Sequence, residues 1–218
     1  FYERAGYMVN LNGTEGSVTI IGAVSPQGSD FSEPVTQNTK RFVRVFWALD
    51  KALAYARHYP AINWTTSYSE YIDELKGFYD KNYGEEFLSC RQRVSNILSE
   101  EAKLMEIVKL IGADVLPEDQ KLTITAAKLV RVGFLQQNAF HADDTYVPLE
   151  KQLGMMKVIL YFYDAAMKKV KDGVPVSQIA KTGLEDAIVK IKYNVPNNEL
   201  QKLDEYYPMI DEKLAEVK

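Results

Sequence analysis

Two stretches of the chain combine aromatic rings with polar groups in a pattern that suits a flat ligand. "RHYPAINW" places Tyr59 directly before a proline, and "GFLQQNAFHADDTYVPLEKQ" carries Phe134, Phe140 and Tyr146 among polar loop residues. Aromatic faces stack on planar bases, so these residues are candidates for a ring-stacking pocket. The ordinary interpretation is a core tyrosine and a packed helix-to-helix corner, and composition does not decide between the two.

The residue types that most often carry catalysis are sparse here. His58 and His141 lie far apart and have no metal-ligand spacing with Cys90, so both are predicted to be surface or loop histidines and no metal site is expected. Cys90 falls mid-helix beside Arg91 with no nearby histidine, which argues against a nucleophile. The sequence contains neither a G-x-x-x-x-G-K-[ST] phosphate loop nor a G-x-S-x-G elbow. No catalytic residue is therefore predicted in this chain.

Composition narrows the class of protein. The chain of 218 residues has a net charge of −4, whereas nucleic-acid-binding proteins usually carry an excess of basic residues. The single cysteine excludes an internal disulfide and fits a reducing compartment. The longest apolar run, "MMKVILYFYDAAM", contains Lys157 and Asp164 and falls short of the roughly 20 residues of a membrane span, so it is predicted to be a buried helix.

The first third of the chain has the pattern of part of a sheet domain. Thr19–Val24 is β-branched and apolar on both faces, which predicts an internal strand of a parallel sheet. The loop Ser25–Thr36 would follow the carboxyl end of that strand, where ligands bind in such sheets, although a solvated turn is the simpler interpretation. A helix over Lys40–Tyr59 and a short strand over Ala61–Trp64 would complete one βαβ unit.

A single βαβ unit cannot cover the faces and edges of its own sheet. The opening "FYERAG" resembles the end of a helix closed by Gly6, so the chain is expected to begin inside an element. Both features predict that the chain is part of a larger protein.

From about Ser67 onward the sequence predicts an antiparallel helical bundle. Prolines at first-turn positions (Pro117, Pro148) and glycines after the last turn (Gly112, Gly173) mark helix ends. The predicted helical stretches are 67–84, 85–112, 116–137, 148–173, 176–194 and 198–218.

Four motifs in succession, "FYERAG", "GSVTIIGAVSPQGSDFSEPVTQNT", "VFWALDKALAYARHYPAINWTTSYS" and "GFLQQNAFHADDTYVPLEKQ", resemble the C-terminal part of the catalytic A subunit of A/V-type (archaeal and vacuolar) rotary ATPases. The resemblance covers essentially the whole chain. It implies a mainly α fold class: a C-terminal helical bundle preceded by a truncated βαβ remnant of a RecA-like α/β nucleotide-binding domain. The implied domains are 1–72 for the remnant and 73–218 for the helical domain.

The resemblance implies a catalytic protein that couples ATP synthesis or hydrolysis to proton or sodium transport. The family's phosphate loop and Mg ligands precede the equivalent of Phe1, so ATP or ADP with Mg is expected in the complete subunit. This chain alone is expected to be inactive and to have near-zero affinity for nucleotide. The implied partners are the B subunits, the central stalk and the peripheral stalk. The B subunits alternate with A in a hexameric ring and supply the arginine finger. No nucleic acid is expected, and the implied location is peripheral, on the cytoplasmic face of the membrane, which the chain meets only through the assembled complex.

The same resemblance assigns the residues of the adenine pocket. Tyr59 and Phe140 match the two aromatic positions that hold the adenine ring; the tyrosine keeps the flat face and adds a hydroxyl of unknown partner. Residues expected near the ring, on weaker grounds, are Gln137, Asn138, Ala139 and Tyr146.

The acidic turn "IGADVLPEDQKLTI" matches the position where the related F-type catalytic protein faces its rotating stalk. Asp114, Glu118 and Asp119 are the implied stalk-facing residues, and the ordinary interpretation is a helix-to-helix turn.

The hinge between the two domains is expected between Ser67 and Gly84. Two alternatives remain open at this point: a stand-alone helical adaptor that binds a protein and no nucleotide, and the non-catalytic partner subunit.

Overall fold

A computed structural model describes residues 1–217 of the chain. The part that precedes residue 76 contains two antiparallel two-stranded sheets and short helices. The strands are β1 (Gly6–Val9), β2 (Glu15–Val18), β3 (Val45–Phe46) and β4 (Tyr68–Ser69). The helices of this part are α1 (Pro34–Lys40) and α2 (Lys51–Tyr55), with 3-10 turns at Tyr2–Arg4 and Gln27–Ser29.

The predicted parallel strand at Thr19–Val24 is wrong. These residues have no strand assignment, and Ile21 is 78% exposed. The hairpin of β1 and β2 ends just before them, at the pair Gly6 and Val18. A doubly apolar strand pattern forms a strand only where neighbouring strands pair with it, and no described residue pairs with this segment.

The predicted helix over Lys40–Tyr59 is also wrong, because pairing with a later segment interrupts it. The Ala48 carbonyl accepts from the Asn63 amide at 2.8 Å, and the Arg44 carbonyl accepts from the Glu70 amide at 2.8 Å. A new helix, α2, begins after Asp50, whose carboxylate accepts from the Ala52 amide at 2.7 Å. Ala61–Trp64 contributes one antiparallel bridge, at Ile62, so the βαβ prediction fails here.

The helical part confirms the mainly α prediction. Its helices are α3 (Lys76–Tyr83), α4 (Glu86–Ile111), α5 (Glu118–Leu129), α6 (Ala142–Thr145), α7 (Leu149–Lys171), α8 (Val176–Ala180), α9 (Leu184–Val189), α10 (Ile191–Asn194) and α11 (Tyr206–Ala215). Turns of 3-10 helix occupy Ala113–Val115 and Leu200–Glu205. The predicted helix over 67–84 forms only from Lys76.

The predicted ends of the long helices are confirmed. Pro117 and Pro148 precede the first turns of α5 and α7, and Gly112 and Gly173 follow α4 and α7 at φ values of 86° and 95°. Positive φ favours glycine there, because other residues meet a steric penalty. Apolar side chains of α4, α5 and α7 form the centre of one buried core.

A π-helical segment, Val130–Leu135, continues α5 toward the predicted site. Gly133 allows this segment to lie against α9, since a Cβ at that position would meet the Val189 Cα at 3.3 Å. The wider turn ends at Gln136, where the backbone becomes extended. Residues 137–140, which follow this segment, therefore form a loop at the surface of the bundle.

Among residues 1–217, no helix is both long and apolar enough to cross a membrane.

Candidate functional site

Tyr59 and Phe140 line one open pocket of about 500 Å³. Tyr59 is 54% exposed and Phe140 is fully exposed, so both side chains are accessible to a ligand. The pocket is lined by Arg57, Tyr59, Val132, Gln136, Gln137, Asn138, Ala139, Phe140, Val189, Lys192 and Tyr193. The structure thus brings together five of the six residues that the sequence assigned to the adenine pocket.

Tyr146 is the exception. Its side chain is 77% exposed and lies outside this pocket, while its carbonyl accepts from the Asn197 side chain at 2.7 Å. The structure does not bring this ring to the pocket.

A tight turn after α2 carries Tyr59. Arg57 adopts a left-handed backbone with φ of 57°, and the Tyr59–Pro60 peptide bond is cis. The Tyr59 hydroxyl has its nearest acceptor at the Ala54 carbonyl, 3.5 Å away, which is at the limit of a hydrogen bond. The hydroxyl therefore remains able to bond a ligand or water.

Backbone hydrogen bonds join this turn to the loop that carries Phe140. The Gln137 amide donates to the Tyr59 carbonyl at 2.7 Å, and the Gln136 side chain donates to the Arg57 carbonyl at 3.2 Å. These bonds connect the part before residue 76 to the helical part at the pocket itself.

The segment from Asn138 to Thr145, which ends in α6, is organised around a buried carboxylate. Asp144 is 2% exposed and its Oδ2 accepts from the Asn138 amide at 2.7 Å. The Asn138 side chain accepts from the Phe140 amide at 3.0 Å, and the Thr145 hydroxyl donates to the Ala139 carbonyl at 2.8 Å. The backbone beneath the Phe140 ring is therefore fixed by local polar contacts.

Two buried lysines lie behind the loop, and sequence reasoning missed both. Lys151 is fully buried and Lys192 is 2% exposed. The pKa of each amino group is lowered, and burial is the main cause. Nearby carboxylates oppose this shift in part: Asp143 and Asp144 for Lys151, and Asp144 for Lys192. A signal was present, since Lys151 lies on the buried stripe of α7 with Met155 and Ile159 at four-residue spacing.

A second cavity of about 310 Å³ lies beside the first, and His58 and Gln137 are among the residues that line it. His58 is only 8% exposed, so it is not a surface histidine, but it lies outside helix and strand, which agrees with the loop alternative of the prediction. Its Nε2 has no hydrogen-bond partner among the described residues. Burial, and then the positive charges of Arg131 and Lys192, lower the pKa of His58.

His141 fits its prediction as a loop histidine. It is partly exposed and precedes α6, where its Nδ1 accepts from the Asp143 amide at 3.3 Å. Cys90 lies within α4 as predicted, and burial raises the pKa of its thiol. A raised pKa lowers the fraction of the thiol that is present as thiolate.

The three acids of the predicted stalk-facing turn differ in their surroundings. Glu118 accepts hydrogen bonds from Lys121 Nζ at 2.9 Å and from the Val176 amide at 2.7 Å. Both bonds hold the pKa of Glu118 below its usual value, and the bond from Lys121 has the larger effect. Asp114 and Asp119 are exposed. Glu118 therefore has a role within the fold, whereas the other two carboxylates face outward.

Exposed apolar side chains lie at the same tip, and sequence reasoning did not single them out. Leu110 is 84% exposed and Val115 is 66% exposed, on either side of Gly112. The end of the α4–α5 hairpin is therefore both acidic and apolar.

No group of three histidine, cysteine, aspartate or glutamate side chains lies close enough to hold a metal ion within residues 1–217.

Sequence comparisons divide the chain at a point close to the change in structure. Residues 1–69 match the ATP synthase alpha/beta family, nucleotide-binding domain. Residues 76–180 match the C-terminal domain of V and A type ATP synthase.

Curated relatives match nearly the whole chain. The V-type ATP synthase alpha chain 2 of Clostridium tetani is 56% identical over 98% of this chain and 37% of its own length. The A subunit of the A-type ATP synthase of Methanopyrus kandleri is 49% identical over the full chain and 37% of its own length. The chain thus spans about 37% of the length of these relatives.

A solved structure shares the fold. It is described as a unique ATP synthase subunit NeqB from Nanoarcheaum equitans, and it matches 74% of this chain and 37% of its own chain, with a TM-score of 0.58 and 22% identity.

Proposed function

The chain belongs to the family of V- and A-type ATP synthase A subunits, and on that premise we propose that it contributes the adenine pocket and the stalk-facing helical domain of a rotary ATP synthase or ATPase. Relatives of this name are about half identical to it over nearly its whole length. The complete subunit would couple ATP synthesis or hydrolysis to the transport of protons or sodium ions.

The observation that carries the proposal is the shared pocket of Tyr59 and Phe140. The two rings come from segments far apart in sequence, and the bond between the Gln137 amide and the Tyr59 carbonyl holds those segments together. Two aromatic faces at one open pocket suit a purine ring. Gln137, Asn138 and Ala139 would line the edge of the base.

The proposed division places the remnant of the nucleotide-binding domain at 1–72 and the helical domain at 73–218, with a hinge between Ser67 and Gly84. The positive φ of Gly84, which directly follows α3, supports a change of direction between α3 and α4. ATP would draw the two domains together through contacts that include the adenine ring, and release of products would reopen them.

Catalysis in this proposal belongs to the complete subunit. The chain's sequence has no phosphate loop, so ATP or ADP with Mg would bind only where the rest of the nucleotide-binding domain is present. The chain alone would be inactive.

The partners follow from the proposed assembly. B subunits would alternate with this one in a hexameric ring, and a central and a peripheral stalk would bind that ring on the cytoplasmic face of the membrane. The tip that carries Asp114 and Asp119 is the proposed contact with the central stalk, since both carboxylates are exposed there. The alternative of a stand-alone helical adaptor leaves the match of residues 1–69 to a nucleotide-binding domain unexplained.

A chimera tests the proposal directly. The matching 220 residues of the Methanopyrus kandleri protein would be replaced by this chain, and the hybrid assembled with that organism's remaining subunits. We expect assembly and ATP hydrolysis. Failure to assemble, with the hybrid folded as judged by circular dichroism, would contradict the proposed role.

A further inference from the structure

Two buried amino groups form a connected series behind the adenine pocket. Lys192 Nζ donates to the carbonyls of Gln136 at 2.6 Å and Val132 at 2.9 Å. Lys151 Nζ donates to the carbonyl of Lys192 at 3.0 Å and to that of Asp143 at 3.1 Å. The series runs from α7, through α10, to both ends of the loop that carries Phe140.

Packing alone would not place lysines at these positions. Lys192 shares a buried stripe with Ile188, Ile191 and Val195, and Lys151 shares one with Met155 and Ile159. Burying a charged amino group is unfavourable unless hydrogen bonds replace its water. An apolar side chain would satisfy the packing, so the lysines are explained by the carbonyl groups that they hold.

The contacts of Lys192 also indicate what it does not do. An ammonium group has three donors, and two of them are occupied by the carbonyls of Val132 and Gln136. The Tyr193 ring lies 5.1 Å from the same nitrogen. The group is thereby turned toward the protein backbone, and it is a support for the pocket wall rather than a phosphate ligand.

We propose that Lys192 and Lys151 are positioning residues of the adenine pocket. Lys192 fixes the end of the π-helical segment, so that Gln137 meets the Tyr59 carbonyl and the Phe140 ring stands at the mouth of the pocket. Lys151 fixes Lys192 and the far end of the same loop, with a third bond to the Asn197 side chain at 3.0 Å. The inference rests on the proposed role of Tyr59 and Phe140 in holding adenine.

The test compares two substrates in the assembled ATPase that contains the complete subunit: ATP, and ribose 5′-triphosphate, which lacks the base. For Lys192→Met we expect the KM for ATP to rise about fivefold or more, the range of a lost base-stacking contact, with kcat little changed. The KM for ribose triphosphate should stay the same. Lys190→Met is the matched control, because Lys190 lies at the end of the preceding helix and contributes no side chain to the pocket, and its kinetics should equal those of the wild type.

Tyr59→Ala tests the adenine pocket independently of the two lysines. If it changes the ratio of the two KM values and Lys192→Met does not, the positioning role is wrong while the adenine pocket stands. If neither variant changes the ratio, both proposals fail. An equal rise of both KM values in Lys192→Met would indicate a general structural role and overturn the inference.

Hydrogen exchange covers the case in which Lys192→Met does not assemble. In a complete subunit carrying Lys192→Gln, which retains a shorter polar side chain, we expect faster exchange at the amides of Asn138 and Phe140 with α7 unchanged. Equal acceleration in the loop and in α7 would mean general loosening and would contradict the positioning role.

Discussion

The backbone amide of Gln137 lies 2.7 Å from the carbonyl oxygen of Tyr59 and donates a hydrogen bond to it. This bond joins the turn after α2 to the loop after the π-helical segment, and each of these segments carries one ring of the proposed adenine pocket. Any motion of the helical domain about the proposed hinge must carry the bond along or break it. In the proposed enzyme, nucleotide binding at this pocket and movement of the two domains would therefore affect each other.

The two rings should contribute to nucleotide affinity with little effect on folding. We expect Tyr59→Ala and Phe140→Ala each to raise the KM for ATP about tenfold in the assembled enzyme, equivalent to about 1.4 kcal/mol of lost stacking. Phe140 is fully exposed, so its replacement should change the free energy of unfolding by less than about 0.5 kcal/mol. Steady-state kinetics and urea unfolding measure the two effects. Tyr55→Ala, in an exposed residue outside the pocket, is the control and should change neither.

His58 should make the stability of the chain depend on pH in the mildly acidic range. Its folded-state pKa is lowered by burial, so the unfolded state binds more protons once the pH falls below about 6.5. The contribution of neutral His58 to the free energy of unfolding is therefore fully present above that pH, and it is lost as the pH falls toward the folded pKa. We expect His58→Phe to lose less stability than the wild type between pH 7.5 and pH 5, measured by urea unfolding.

The other histidine provides the control for that experiment. His141→Asn removes a loop histidine and keeps a side chain that can accept from the Asp143 amide. This variant should show the pH dependence of the wild type. A wild-type dependence in His58→Phe as well would place the titrating group elsewhere.

Glu118 should matter for stability more than its neighbours in the acidic turn. Glu118→Ala removes the acceptor of the Val176 amide and the partner of Lys121, so we expect the free energy of unfolding to fall by about 1 kcal/mol, a value reduced for the 38% exposure of its side chain. Because the pKa of Glu118 is lowered, this contribution is present above about pH 4.5 and is lost as the pH falls through the folded pKa.

Asp114→Ala is the matched change in the same turn. Asp114 is exposed, so its replacement should leave stability within about 0.5 kcal/mol of the wild type. Thermal or urea unfolding at pH 7 gives both values. Equal losses for the two variants would mean that the Glu118 contacts contribute nothing specific.

The long helices could be predicted because their signals are local. Pro117, Pro148, Gly112 and Gly173 act on their own turns of backbone, and the structure has helix ends beside each of them. The buried apolar stripes between these ends pack against each other with short connections, as in helical bundles generally. Sequence therefore sufficed for α4, α5 and α7.

The part before residue 76 could not be predicted in the same way, because its conformation depends on distant partners. The segment 40–59 has helical periodicity, yet pairing with residues 61–70 draws its centre into extended backbone. The apolar run at 19–24 has the composition of a buried strand, yet no described residue pairs with it. In both cases tertiary contacts, or their absence, decide against local preference.

The aromatic residues of the site could be named from motifs, but the groups that support them could not. Lys151 and Lys192 carry a charge, and helical patterns assign charged residues to the outer face. Their roles depend on carbonyl oxygens supplied by other segments, which no spacing reveals. Glu118 was named for a stalk contact, and its bond to the Val176 amide was equally invisible in the sequence.

The isolated chain should bind ATP only weakly. Ring contacts of about 1–3 kcal/mol each fall short of firm binding when no phosphate loop is present. At about 1.4 kcal/mol for each ring, the two contacts together supply roughly 3 kcal/mol, less than the roughly 4 kcal/mol that corresponds to a Kd of 1 mM, so we expect a Kd for ATP above about 1 mM. Isothermal calorimetry on the 218-residue chain measures it, and micromolar binding would contradict the division of the site between this chain and the rest of the protein.

Photolabelling of the assembled enzyme with 8-azido-ATP shows whether adenine binds between Tyr59 and Phe140, because the reactive group is on the adenine ring itself. We expect the label on the peptides that contain Tyr59 and Phe140, and we expect excess ATP to prevent it. Labelling confined to other peptides, with those two unmodified, would show that adenine does not bind between these rings.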